Sequence, residues 1–217
     1  MKIGILGTGT VAQALGTKLA HVGHEVRLGS RDAQNPKAAA WSAHAPLASH
    51  GNFADAAAHG AILINATNGL ATMDVLAAAG ADNMAGKVLI DASNPIDFSS
   101  GDPLPVLRPG NGDSLAEMIQ RTYPRTTVVK ALNTVNAELM VNPSAVAGEH
   151  LLFMAGDDER AKALALDLLG ELGWPADRVM DLGGLVAARA LEAYLLLWVA
   201  VMRTKGTSLF NVSLTAN

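Results

Sequence analysis

The sequence predicts an α/β protein, a doubly wound and mainly parallel sheet with a C-terminal helical extension. Three observations carry that prediction. Short runs rich in Ile, Val and Leu alternate with helical patterns along the chain, the order that right-handed strand–helix–strand crossovers require. Half of the 217 residues are hydrophobic and only 17% are charged, enough for a substantial buried core. A glycine-rich turn, "GTGTVA", joins the first apolar run to the first helix.

The elements follow in order. "KIGIL" (2–6) reads as a buried strand, after which Val11, Leu15, Leu19 and Val22 recur at helical spacing as far as Gly23. "EVRLG" (25–29) is the second strand. Asn35-Pro36 places a capping side chain before a proline at the first helical position and opens "KAAAWSAHA". "AILINAT" (61–67), "KVLIDAS" (87–93), "TVVKALN" (127–133) and "LLFMAG" (151–156) are further strands. Helices are expected over 72–79, over 114–122 with a Ser114-x-x-Glu117 capping box, and over 158–173. The segment "FSSGDPLPVLRPGNGD" (98–113) exceeds ordinary connection length; it is either a lid or binding loop, or a surface excursion.

Residues 1–182 form the expected dinucleotide-binding domain and 183–217 a C-terminal helical segment at a dimer contact and substrate cleft. Leu182 to Leu214 is expected to pack helices across a two-fold axis; packing on the chain's own sheet is the alternative. The run "AYLLLWVAVM" (193–202) falls short of the roughly 18 residues needed to span a bilayer. The opening "IGIL" breaks at Gly7, too early for a secretory apolar region. A net charge of −4 with scattered basic residues gives no footprint for nucleic acid or an anionic membrane. The absence of cysteine excludes disulfides, thiolate catalysis and cysteine metal sites. Those features fit a cytoplasmic protein.

Gly7-Thr8-Gly9-Thr10-Val11-Ala12 matches the dinucleotide fingerprint in its proper setting, after a strand and opening a helix. Gly7 permits the tight turn, Gly9 lets the backbone approach a pyrophosphate, and Ala12 allows close helix–strand packing. The helix start then offers free N–H groups to the phosphates. The chain is thus expected to carry a Rossmann-type domain. At the end of the second strand, where an acidic residue would hold the ribose of NAD, stand Gly29, Ser30 and Arg31. Arg31 can stack on adenine and pair with a 2′-phosphate to which the Ser30 hydroxyl donates, and Lys37 is a further candidate charge. The alternative leaves Arg31 in solvent and gives the ribose to Asp32. The expectation is NADP over NAD.

Ligands of open α/β sheets bind beyond the carboxyl ends of the strands. There the sequence sets Asn68, Asn94 and Asn133, with Thr67, Ser93 and Thr134 beside them. Amides and hydroxyls suit ribose and carboxamide, although asparagine also simply favours turns. No strand end offers a His, Lys or Tyr general acid, and the six histidines show no metal spacing. The inference is a hydride transfer achieved by positioning, with no catalytic side chain and no metal.

The stretches "IGILGTGTVAQALGTKLAHVGHEVRLGSRD", "KVLIDASNPIDF", "VVKALNTVNAELMVNP", "FMAGDD" and "DLGGLVAARALEAYLLLW" resemble the NADP oxidoreductases that depend on the deazaflavin coenzyme F-420, together with related dinucleotide-binding reductases of bacteria. The resemblance implies NADP contacts at Thr8, Gly9, Thr10, Val11, Ser30 and Arg31. It places Asn133, Thr134 and Ala137 beside the nicotinamide. It also implies a dimer and a deazaflavin lying over the nicotinamide. Two other functions remain open from the residues: reduction of a small carbonyl, imine or quinone, and a non-catalytic NADP-sensing protein.

Overall fold

The computed structural model describes residues 1–45, 47–99, 101–109 and 112–215. Strands β1 (Lys2–Leu6), β2 (Glu25–Ser30), β3 (Ala48–Asn52), β4 (Ile62–Asn65), β5 (Val88–Asp91), β8 (Thr127–Ala131), β9 (Leu152–Gly156) and β10 (Val179–Asp181) form one sheet, ordered β10-β9-β8-β5-β4-β1-β2-β3. Neighbours are parallel except β8 and β9, so the last two strands run against the rest. The doubly wound prediction holds. Its switch point lies at β1, between β2 and β4, where connections leave in opposite directions.

Helices cover both faces. On one face α1 (Thr10–His21), α2 (Pro36–Ser42), α7 (Ala137–Val141) and α8 (Glu159–Leu172) bury Leu15, Leu19, Trp41, Leu139 and Leu169. On the other, α3 (Phe53–His59), α4 (Thr72–Ala79), α5 (Ala81–Met84) and α6 (Leu115–Thr122) bury Phe53, Leu76, Met84 and Ile119. Helix α1 turns Ala12, Leu15, Gly16 and Leu19 inward, while Val22 is its exposed C-cap, followed by Gly23 at φ 102°. Gly16 is needed there, because a Cβ would sit 2.7 Å from the Trp41 ring.

Several expectations shift. Helix α2 ends at Ser42, short of "AHA", and the chain then adds β3, an edge strand whose polar sequence "ASHGN" carries no apolar signal. Segment 98–113 carries Val106–Leu107 (β7), which pairs antiparallel with Ile96–Asp97 (β6) in a two-stranded ribbon; residues 100, 110 and 111 lie outside the described residues. Ser114 caps α6 by accepting from the Glu117 N–H, but Glu117 bonds the Ser114 hydroxyl instead of its N–H, which makes half of the capping box.

The C-terminal helix α9 (Ala188–Lys205) packs within the chain. Its inward residues are Ala188, Leu191, Glu192, Leu195 and Val199, and the tail beyond it is tied down where Leu151 N donates to Val212 O. With the turn before it, Leu185–Lys205, it is long and apolar enough to cross a membrane by length and composition alone. It nevertheless buries a carboxylate, Glu192, in an ion pair with Lys130.

Candidate functional site

The site begins at the β1–α1 turn. Gly7 has φ 126°, and a Cβ there would lie 2.6 Å from the Ala66 carbonyl oxygen. Gly9 is different: it caps α1 with an extended backbone, and nothing stands within 4 Å of where its Cβ would be. No side chain caps the helix and no acidic residue occupies its first turn. The first N–H groups of α1 are therefore left to an anion.

From that turn a cleft follows the carboxyl ends of the strands. Its larger part, about 740 Å³, is lined by Gly7, Thr8, Gly9, Ser30, Arg31, Thr67 and Asn68. Its smaller part, about 240 Å³, is lined by Val11, Thr67, Asn94, Asn133, Thr134 and Ala137. The two share Ala66 and Thr67. Residues far apart in sequence are thus gathered along one groove of the size small-molecule sites have.

Two predicted residues lie elsewhere. Thr10 faces a groove on the outer side of α1. Lys37 lines a groove between α1 and α2 with Thr17, Trp41 and His44. The Ser30 hydroxyl, expected to donate to a phosphate, donates instead to the Asp32 carbonyl at 2.5 Å.

The rim asparagines divide their work. Asn68 accepts from Leu70 N and shapes the turn after β4. Asn94 and Asn133 clasp each other: Asn133 Nδ2 donates to Asn94 Oδ1 at 2.9 Å, and Asn94 Nδ2 to Asn133 O at 2.8 Å. Asn133 Nδ2 also donates to Leu191 O, which joins the β8 end to α9. The turn that presents Asn133 is made by Leu132, a buried leucine in the left-handed region at φ 68°. Such a conformation costs roughly 1–3 kcal/mol and gathers at functional sites.

Sequence reasoning missed what lies beneath this rim. Lys130, fully buried, places Nζ 2.8 Å from Asp91 Oδ2, 3.0 Å from Glu192 Oε1 and 2.6 Å from Ser93 O. Burial alone would depress its pKa, but the two carboxylates outweigh burial and hold it above the ordinary lysine value. Glu192 also accepts from the N–H groups of Leu115 and Ala116 and so caps α6 from α9. Asp91 Oδ1 accepts from Asn65 Nδ2 and from the Ser93 hydroxyl. With its donors committed to three acceptors, Lys130 is a strut and offers no proton to the cleft. Leu195 and Trp198 of α9, also unforeseen, wall the smaller part.

Among the described residues, no group of three His, Asp or Glu side chains is placed to hold a metal ion. Each histidine has a structural partner away from the cleft, as His150 does with the Pro143 carbonyl and Asn211.

The pattern of the family described as NADP oxidoreductase, coenzyme F-420-dependent, matches residues 2–95. The chain is 33% identical to an F-420-dependent NADP reductase of Methanothermobacter marburgensis, over 88% of each chain. It is 32% identical to metalloreductase STEAP3 of Rattus norvegicus over 88% of its own length, which spans only 36% of that protein. A solved structure from Arthrobacter sp. FB24, provisionally assigned as an F-420-dependent NADP reductase, is 44% identical and superposes with a TM-score of 0.94 over all of both chains.

Proposed function

The chain belongs to the coenzyme F-420-dependent NADP oxidoreductases, and we propose that its cleft holds NADP(H) along the larger part with the deazaflavin over the nicotinamide in the smaller. The protein is an NADP-dependent oxidoreductase that passes a hydride between the two coenzymes. When bound, the reduced nicotinamide supplies the hydride; what the chain itself must do is bind, orient and exclude water.

The residues fit those tasks. The open N-terminus of α1 and the bare Gly9 receive the pyrophosphate, with Gly7 and Thr8 shaping that end of the groove and Val11 lining the smaller part. Arg31 neutralises the 2′-phosphate, and rotation of the Ser30 hydroxyl away from Asp32 O adds a donor. Thr67 and Asn68 line the passage to the nicotinamide end. There Asn133 has its amide nitrogen committed twice, so its oxygen is presented as an acceptor for the carboxamide N–H. Asn94 holds that orientation, and Thr134 and Ala137 complete the pocket. Lys37 takes no part in this reading, and Thr10 enters it only through its backbone N–H at the start of α1.

The observation that carries it is one continuous cleft running from an uncapped helix start to a rim with unpaired buried polar atoms. The division of labour is residues 1–182 for NADP and 183–217 for the acceptor wall. A cytoplasmic homodimer is part of the same reading; it rests on the cysteine-free sequence and on Val186 and Leu197, large apolar side chains that the C-terminal segment leaves exposed. Stopped-flow oxidation of NADPH by oxidised coenzyme F-420 tests the function. Turnover of a small imine, carbonyl or quinone in its place, or tight NADPH binding with no acceptor reduced, would replace it with a different reductase or a sensor.

A further inference from the structure

Among the described residues, three buried side-chain polar atoms have no hydrogen-bond partner: Asn133 Oδ1, Thr134 Oγ1 and Trp198 Nε1. All three residues line the smaller part of the cleft. Leaving a buried polar group unpaired is destabilising, so a cluster of them around one cavity marks a surface that a complementary ligand completes. Their chemistry is distinct. Asn133 Oδ1 only accepts, the threonine hydroxyl does either, and an indole N–H only donates.

Trp198 is the informative member. It lies on α9, three residues beyond Leu195 and beside the buried Val199. A leucine or phenylalanine would cover that flank without an N–H to satisfy; tryptophan earns its place in a buried setting when the N–H finds an acceptor. Its ring is held in advance. Phe210 stacks on it, with centroids 5.4 Å apart and planes 22° from parallel. The tail that carries Phe210 is anchored where Asn136 Nδ2 donates to Ser208 O and where Leu151 N donates to Val212 O. Among the described residues, no donor or acceptor reaches the indole nitrogen.

We propose that Trp198 is a recognition residue for the hydride acceptor: its N–H donates to a ring carbonyl of a flat, carbonyl-bearing heteroaromatic, and its ring forms the apolar wall on which that heteroaromatic rests. The proposal rests on the reading of the cleft as an NADP–deazaflavin site and adds the group that selects the acceptor. Asn133 and Thr134, from the β8 end, then serve the nicotinamide, and α9 serves its partner. A reductant and an oxidant are thereby assigned to residues of different elements around one cavity.

The test compares wild-type protein with Trp198→Phe, which keeps an aromatic wall without the N–H, and Trp198→His, which keeps a ring donor. Calorimetric titration of oxidised coenzyme F-420 into NADP-saturated protein is run beside NADPH titration and thermal unfolding. Loss of one hydrogen bond, with the ligand carbonyl left unpaired, is expected to weaken F-420 binding about ten-fold in Trp198→Phe while NADPH binding moves by less than about two-fold. The KM for F-420 rises in step with kcat nearly held, and Trp198→His recovers part of the loss. Unchanged F-420 binding in Trp198→Phe, or a parallel loss of NADPH binding, overturns the assignment of Trp198 and leaves the enzyme's function standing. Wild-type protein that binds NADPH yet neither binds nor reduces F-420 overturns both.

Discussion

Lys130 and Asp91 form an ion pair at 2.8 Å with both side chains at zero exposure, and Glu192 from α9 completes it at 3.0 Å. A buried pair adds little net stability over a well-packed apolar substitute, but removing one partner strands the others at a cost of about 3–5 kcal/mol. Lys130→Met is therefore expected to lose about that much in urea unfolding. Because the folded-state pKa of Lys130 is raised, its contribution is complete below the ordinary lysine value and fades as pH climbs through the raised one. A Lys130→Met protein as stable as wild type at neutral pH would show that the strut carries no load.

The two glycines of the first turn predict opposite phenotypes. Gly7→Ala puts a Cβ at φ 126° and 2.6 Å from the Ala66 carbonyl; strain of this kind costs about 1–3 kcal/mol, so stability falls. Gly9→Ala meets open space and a φ of −78° that alanine adopts freely. Its unfolding curve should match wild type, while NADPH affinity drops about ten-fold or more because the methyl holds the pyrophosphate off the helix start. Paired denaturation and NADPH titrations separate the two effects, and a Gly9→Ala protein with intact affinity would remove the pyrophosphate from this turn.

Arg31 lines the larger part of the cleft, and no hydrogen bond commits its guanidinium elsewhere in the described chain. Arg31→Ala is expected to weaken NADPH about ten-fold or more, the scale of one charge-assisted hydrogen bond, and to leave NADH nearly unchanged. Equal losses for both coenzymes in parallel titrations would mean that the arginine stacks on adenine and ignores the 2′-phosphate. Lys37→Ala, in its separate groove, should change neither.

How much of this was readable follows from where each signal sits. The central strands were legible because β1, β4 and β5 are buried over most of their length and so read as short runs dominated by Ile, Leu and Val. The fingerprint was legible because each small residue answers a local need: the turn at Gly7, the bare approach at Gly9, the packing of Ala12. β3 was not, since an edge strand paired on one side tolerates the polar "ASHGN". Lys130 hid inside "VVKALN", where only the fold shows that Asp91 and Glu192, 39 and 62 positions away, meet its ammonium. The left-handed Leu132 carries no sequence mark at all. Trp198, half-buried, vanished into an apolar helical run whose hydrophobicity explains its packing and conceals its unpaired nitrogen.

The wall that carries Trp198 also has an acid-sensitive anchor. Arg189, at the start of α9, grips Glu117 of α6 with both arms, Nε to Oε2 at 2.8 Å and NH2 to Oε1 at 2.7 Å, while Ser114 adds a hydroxyl donor. The Arg189 hydrogen bonds, which outweigh the opposing effect of burial, hold the Glu117 carboxyl below the usual glutamate value. A depressed folded-state pKa gives stability that is present above the unfolded value and lost as pH falls through the folded one. Glu117→Gln should therefore unfold at a lower temperature than wild type at neutral pH, and the two melting curves should converge as the solution is taken below about pH 4.5. The partners are partly exposed, so the neutral-pH gap is modest and shrinks in high salt. A gap that stays constant down to pH 3 would mean that Glu117 works through its shape at the Ser114 cap rather than through its charge.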